Sequence, residues 1–290
     1  MWEDQKVLRE VWDAKLPVQF TLSPDEIHCL EKPKPFYLLV PKVNYFPVVT
    51  EKVERHFLAF IKQEESEELW LDYDGQPLKW HYPIGVLFDQ LGITEDNLPW
   101  KIAVHFKRFP EKQLLHCRVI DCVESHFMQT IKEADQLKHR GKVIADMQKK
   151  DHKQLWTGLV SDRFDQFWSI NKRLVDMTSE FSTGLIPCRL YIPNQSDSCP
   201  GTPSSSPQGV SSIIQRRCKG FKDTGERITL QDFVVEIVPE YSDSGLWSLI
   251  CHGVDLPFDT PVAWLGINFA YPDNFVHICV RARETNDGKS

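Results

Sequence analysis

A chain of 290 residues with 41% hydrophobic residues and nine tryptophans has apolar surface for more than one core, and its length predicts two or three packed units. A formal charge of -7 and an isoelectric point near 5.8 exclude a global electrostatic drive toward nucleic acid, so any anionic partner must be met by a local patch. No apolar run reaches bilayer-spanning length, and Met1-Trp2-Glu3-Asp4 lacks the basic start of a secretory leader, so a soluble, cytoplasmic protein is expected.

In chain order, Val7, Leu8, Val11 and Trp12 share one helical stripe within 3–13, which predicts a short amphipathic helix. Alternation at Val18, Phe20 and Leu22, then at Tyr37, Leu39 and around Val43, predicts two strands joined by a charged, proline-containing loop at 24–35. Val49, Val53, Phe57, Phe60 and Ile61 recur at helical spacing. Strand signals return at Leu69, Leu71 and Tyr73, Asp74-Gly75 supplies a turn, Pro83 opens a short helix through Leu91, and Ile102, Val104 and Phe106 form a last strand. This order of hairpin, helix, strand, short helix and strand is that of a β-grasp, or ubiquitin-like, domain.

From about 119 to 177 the period is helical. Ile120, Val123, Phe127, Ile131, Ala134, Gly141, Ile144 and Met147 follow it, and Trp156, Val160, Phe164, Phe167 and Trp168 resume it after a break. A capping box is predicted at the restart, with Asp151 as the cap and Gln154 as its reciprocal partner. Residues 194–212, almost entirely Ser, Pro, Gly, Asn and Gln, read as a disordered insertion at the tip of a hairpin formed by 189–192 and 213–218.

Beyond it, Thr229-Leu230-Gln231-Asp232 caps a helix through Val238, followed by strand 246–251, a turn at Gly253, a helix opened by Pro261 and strand 275–280. The same grammar has occurred twice. Gly75 and Gly253, Leu78 and Leu256, Pro83 and Pro261, Ile84 and Val262, and Leu87 and Leu265 each stand 178 positions apart. Because these positions are turn, cap and core, structural duplication is predicted. The expected fold is α+β: an N-terminal helix (1–14), a ubiquitin-like domain (15–110), a helix-rich domain (111–183) and a second ubiquitin-like domain (184–285).

Catalytic signatures are sparse. The chain has no Walker or dinucleotide glycine loop, no His-Glu-x-x-His and no Gly-x-Ser-x-Gly elbow. The eight cysteines, at 29, 117, 122, 188, 199, 218, 251 and 279, lack Cys-x-x-Cys spacing and read as free thiols, with no metal and no cofactor expected. A thiol hydrolase using Cys251 or Cys279 with His252 or His277 is the enzymatic alternative; both cysteines fall in predicted core strands, where a thiol is inert. Between 132 and 173, ten Lys or Arg face six Asp or Glu, giving a positive belt that is densest at Lys149, Lys150 and Lys153 and is a candidate contact for anionic lipid.

The strings Pro77-Leu78-Lys79-Trp80-His81-Tyr82-Pro83-Ile84-Gly85, Lys132-Glu133-Ala134-Asp135, Asp162-Arg163-Phe164-Asp165-Gln166-Phe167-Trp168 and Tyr271-Pro272-Asp273-Asn274-Phe275 resemble the autophagy protein 5 family. The resemblance implies two ubiquitin-like folds around a helix-rich middle, in agreement with the pattern above. It further implies that Lys132 is joined by an isopeptide bond to the C-terminal glycine of autophagy protein 12, through E1-like and E2-like enzymes. A coiled-coil partner, autophagy protein 16, would occupy a groove for which Lys42 and Gly85 are candidates. The assembly would promote transfer of an Atg8-type modifier to phosphatidylethanolamine at the phagophore membrane, with the chain as scaffold rather than enzyme.

Local physics fits an acceptor: with Ile131 and Ala134 inward, a step of about 100° per residue turns Lys132 to the flank. Glu124, Met128 and Lys132, at successive i+4 positions, would form one ridge for the attached protein. The competing reading is a β-grasp adaptor that binds partners without conjugation.

Overall fold

The structure is a computed structural model and describes residues 3–30, 32–62, 67–178, 180, 182–193 and 210–283. Two compact units emerge, one of Asp13–Leu87 and Ile93–His126, the other of Met1–Trp12, Phe88–Gly92 and Phe127–Ser290.

Helix α1 (Gln5–Asp13) buries Leu8 and Trp12, and Trp12 packs on Phe164 and Phe167 with ring centroids 5.8 and 5.0 Å away. Strands β1 (Lys15–Leu22) and β2 (Phe36–Pro41) form the first hairpin, followed by α2 (Phe46–Val49) and α3 (Glu51–Phe57). Strands β3 (Trp70–Tyr73) and β4 (Gln76–Pro77), helix α4 (Ile84–Gln90) and strand β5 (Trp100–His105) complete a sheet of order β2-β1-β5-β3-β4, with β1 and β5 parallel. Its core is aromatic, with Phe46 set between Phe20 (6.4 Å) and Trp100 (5.6 Å). Each such buried ring contributes about 1.5–3 kcal/mol of transfer free energy.

The helix-rich segment comprises α5 (Ile120–His139), α6 (Lys142–Ala145), α7 (Lys149–Val160) and α8 (Phe164–Val175). The second sheet takes β6 (Leu185–Pro193), β7 (Val210–Lys219), β8 (Trp247–Cys251), β9 (Val254–Asp255) and β10 (Val276–Ala282), with α9 (Leu230–Ile237) and α10 (Val262–Asn268) between strands. Its order, β7-β6-β10-β8-β9, repeats the first, again with the first and last strands parallel.

The repeat extends to single bonds. Leu78 N–H donates to Leu71 O and Leu256 N–H to Leu249 O, both at 2.8 Å. Asp72 pairs with Pro77 as Ile250 does with Asp255, and Tyr73 with Gln76 as Cys251 does with Val254. Both turns need left-handed backbone, at Asp74-Gly75 (φ 50° and 78°) and His252-Gly253 (φ 55° and 79°), which explains a glycine at the second turn position in each copy.

Several expectations are corrected. Tyr37 and Leu39 alternate as predicted but face outward, 62% and 63% exposed, while Val40 is buried. Arg140 and Gly141 adopt φ 56° and 75° and stop α5, so Gly141 breaks the helical period that its spacing continues. Asp162 (φ 52°) separates α7 from α8, leaving Val160 on the solvent side. Helix α7 begins two residues before the expected cap: Asp151 is its third residue and accepts from Gln148 N–H (3.1 Å), whereas Gln154 donates to Gln166 O and Ser169 Oγ. The capping box at Thr229 and Asp232 forms as expected. Residues 210–212, expected to be disordered, belong to β7; 194–209 lie outside the described residues.

The segment after β5 is tied down by His116, which stacks on Phe109 (4.3 Å) and bonds to Glu68 (2.7 Å) and Glu111 (2.9 Å). Donation of a ring N–H to Glu68, then to Glu111, raises its pKa above the ordinary 6.5. A raised histidine stabilises the fold fully below pH 6.5 and stops doing so as pH rises through the folded value. The His116 ring should therefore titrate above 6.5 by NMR, and Glu68→Gln should lower that midpoint; a midpoint at or below 6.5 contradicts the contact.

Candidate functional site

Lys132 lies on α5 beside its buried stripe: Ile131 and Ala134 are 0% exposed, and Lys132 is exposed. Its amine makes no ion pair or hydrogen bond with any described residue. Glu124 and Met128, on the same helix, are half-buried. The adjacent Glu133 meets Arg189 of β6 at 3.4 Å; Arg189 also donates to Gln215 of β7 (2.9 Å) and lies 3.9 Å over the Phe275 ring. This contact fixes the flank of α5 next to Lys132 against the second sheet.

Lysines along α5 are not equivalent. Lys138 is buried, its Nζ donates to Asn274 Oδ1 (3.3 Å), and burial pulls its pKa down to about 8 against the opposing pull of neighbouring acidic groups. Its position denies it to another protein. Lys149, Lys150 and Lys153 are exposed at the start of α7 and make no ion pair with described residues, leaving the densest part of the basic belt uncompensated.

Lys42 and Gly85 come together through the backbone, Gly85 N–H donating to Lys42 O at 2.7 Å. Gly85 is buried and Lys42 half-exposed, so only the lysine offers a side chain to a partner. A separate groove of about 800 Å³ opens in the other unit, walled by Val175, Met177, Phe221, Ala263 and Ile267, with Lys172, Arg173 and Asp176 on its lining. Gly220 shapes it: a Cβ there would stand 3.2 Å from both Ala263 Cβ and Met177 Cε. Sequence reading missed this groove because its apolar walls come from three separate segments, 175–177, 221 and 263–267. The available signals were Ala263 and Ile267 at i+4, and a lone Phe221 in a charged loop.

The thiol-hydrolase geometry is not assembled. Cys251 and Cys279 are buried, and burial pushes both thiols well above the ordinary range. His252 bonds to Phe269 O (3.1 Å) and stacks on Tyr271, while His277 donates from Nε2 to Asp273 (2.9 Å) and accepts the Tyr191 hydroxyl at Nδ1 (2.7 Å). Burial lowers the His277 pKa despite Asp273, so the imidazole is neutral and both nitrogens are used structurally. The seven described cysteines are free, and Cys199 lies outside the described residues. Among the described residues no group of three or more His, Cys, Asp or Glu could hold a metal ion, and no helix is long and apolar enough to cross a membrane.

Two sheets of one β-grasp topology, separated in sequence by a helix-rich segment, define a double ubiquitin-like protein. Profiles described as Autophagy protein ATG5 match in order: the UblA domain at residues 11–106, the alpha-helical bundle region at 120–177 and the UblB domain at 185–280. The chain is 40% identical to autophagy protein 5 of Drosophila melanogaster over 97% of its length and 98% of that protein. It is 32% identical to autophagy-related protein 5 of Caenorhabditis elegans over 95% and 97% of the two chains. The crystal structure of Kluyveromyces marxianus Atg5 shares the fold, with a TM-score of 0.78 at 18% identity, over 96% of this chain and 100% of that one. The chain belongs to the autophagy protein 5 family.

Proposed function

We propose that this chain is a scaffold of autophagosome formation whose Lys132 accepts the ubiquitin-like autophagy protein 12. The exposure of Lys132, on the flank of a helix whose Ile131 and Ala134 are buried, is the observation that carries the reading. Its neutral ε-amine attacks the thioester between the modifier's C-terminal glycine and an E2-like enzyme charged by an E1-like one. An amide C–N bond forms, the C–S bond breaks, the thiolate leaves with the enzyme and the amine loses its proton to solvent. The acceptor needs reach and solvent access, not a catalytic group of its own.

The apolar groove suits the hydrophobic stripe of a helix, the binding mode expected for the coiled-coil partner autophagy protein 16. The uncompensated Lys149, Lys150 and Lys153 suit peripheral contact with the phagophore membrane, contact that weakens with salt. The assembled complex then promotes transfer of an Atg8-type modifier to phosphatidylethanolamine.

Reconstitution with the E1-like and E2-like enzymes, the modifier, the partner and anionic vesicles tests the reading. Conjugated chain should accelerate lipidation, and Ile267→Asp should weaken capture of the coiled-coil partner by about tenfold or more, about the loss from placing a carboxylate against an apolar wall. Acceleration by unconjugated chain to the same extent would favour the plain adaptor, and unchanged capture would remove the groove from the account.

A further inference from the structure

Strand β7 is the outermost strand of its sheet, and no described strand pairs with its far side. The phase of its hydrogen bonds follows from two places. Antiparallel residues alternate between pairs that exchange both bonds and pairs whose backbone groups point away from each other. Gly220 N–H donates to Gly184 O (3.0 Å), and the register continues through Cys218 with Ile186 and Arg217 with Pro187. Pro187 has no N–H to exchange, which agrees with that phase. Ile213, Gln215, Arg217 and Lys219 therefore aim their N–H and C=O groups at the open edge.

This edge is also cationic. Arg216, Arg217 and Lys219 are exposed, and the alternation of a strand puts Arg216 and Arg217 on opposite faces. Among the described residues Lys219 has only an exposed pairing with Asp223 (3.0 Å), and Arg217 makes no ion pair or hydrogen bond. Toward the other end of the strand, Ile213 is 40% exposed. The remaining edges differ: β4 and β9 have two residues each, and β2, Phe-Tyr-Leu-Leu-Val-Pro, carries no charge.

We propose that β7 binds an extended acidic segment of another protein by strand addition, with carboxylates at consecutive positions meeting Arg216 and Arg217 and an apolar side chain covering Ile213. Backbone bonds to the outward-facing positions supply affinity, and the arginines on both faces select charge. Cationic edges resist pairing with a second copy of themselves, so the favoured occupant is a partner of opposite sign. The residues of this site differ from Lys132 and from those that line the apolar groove.

The test is fluorescence anisotropy of the full chain with a fluorescein-labelled peptide containing Glu-Glu-Val-Val-Val, which sets carboxylates on both faces of an added strand and a valine toward Ile213, with its Lys-Lys-Val-Val-Val counterpart as the charge-reversed peptide. Saturable, salt-sensitive binding of the glutamate peptide alone is expected. Arg217→Pro removes an outward N–H without touching the ladder to β6 and should weaken binding about tenfold or more, while Arg217→Ala keeps the backbone bond and should cost less. The double variant Arg216→Glu with Arg217→Glu should lose the glutamate peptide and gain the lysine one, a result that a misfolded protein would not give. No binding, binding indifferent to all these changes, or sedimentation showing that β7 pairs with a second copy instead would overturn the proposal.

Discussion

Lys132→Arg should leave the chain folded and eliminate its conjugate with the ubiquitin-like modifier. Arginine keeps the length and charge of the side chain, but its guanidinium is never deprotonated in a protein and cannot act as the attacking amine. The fold should not respond, because Lys132 is exposed and makes no described ion pair or hydrogen bond. Neighbouring lysines should not substitute freely: Lys138 is buried and bonded to Asn274, and Lys142 lies beyond the Arg140-Gly141 break that ends α5. Immunoblotting of cells that express only the variant should show the unconjugated chain and none of the conjugate. Conjugate persisting at the wild-type level would place the acceptor elsewhere.

Gly158→Ala should destabilise the helix-rich segment although alanine is ordinarily about 1 kcal/mol better than glycine inside a helix. The reversal is geometric. An added Cβ on α7 would sit 2.8 Å from the backbone nitrogen of Phe167 and 3.0 Å from its Cα and Cβ, and α8 backbone cannot yield as a flexible side-chain end would. Forcing the helices apart also disturbs Trp12, which packs on Phe164 and Phe167. A net loss of about 2 kcal/mol is expected, since overpacking costs roughly 1–3 kcal/mol. For a unit of this size that lowers the melting temperature by about 4–8 °C, measurable by calorimetry beside Ser125→Ala on the exposed side of α5. A variant that melts at or above the parent temperature would refute the close helix approach.

Both sheets were legible in the sequence because turn, cap and core residues recur at one offset, and the structure repeats even the bond from Leu78 to Leu71 as that from Leu256 to Leu249. What periodicity could not give was which face wins. Tyr37 and Leu39 alternate as well as any core pair, but alternation alone does not say which side of a strand the core covers. Gly141 matched the helical period because a periodic pattern tolerates one small residue, whereas its left-handed backbone ends the helix. The Asp151 cap was displaced because Gln148 and Asp151 satisfy the first turn just as well, freeing Gln154 to reach α8.

The candidate sites divided in the same way. Lys132 could be placed on a flank from the buried stripe around it, though only the family resemblance set it apart from other solvated lysines. Lys42 and Gly85 meet through a backbone bond that no side-chain pattern encodes, and the apolar groove is built from segments brought together only by folding. Burial of Cys279 was legible because Ile278 and Val280 flank it in its strand, and that of Cys251 because it closes the apolar strand that carries Leu249 and Ile250.

The most direct test is to purify the conjugate from cells with active autophagy, digest it and locate the branched peptide by tandem mass spectrometry. The modifier's terminal glycine should be found on the ε-nitrogen of Lys132. A branch on another lysine, or a chain that carries none under those conditions, would contradict the central claim.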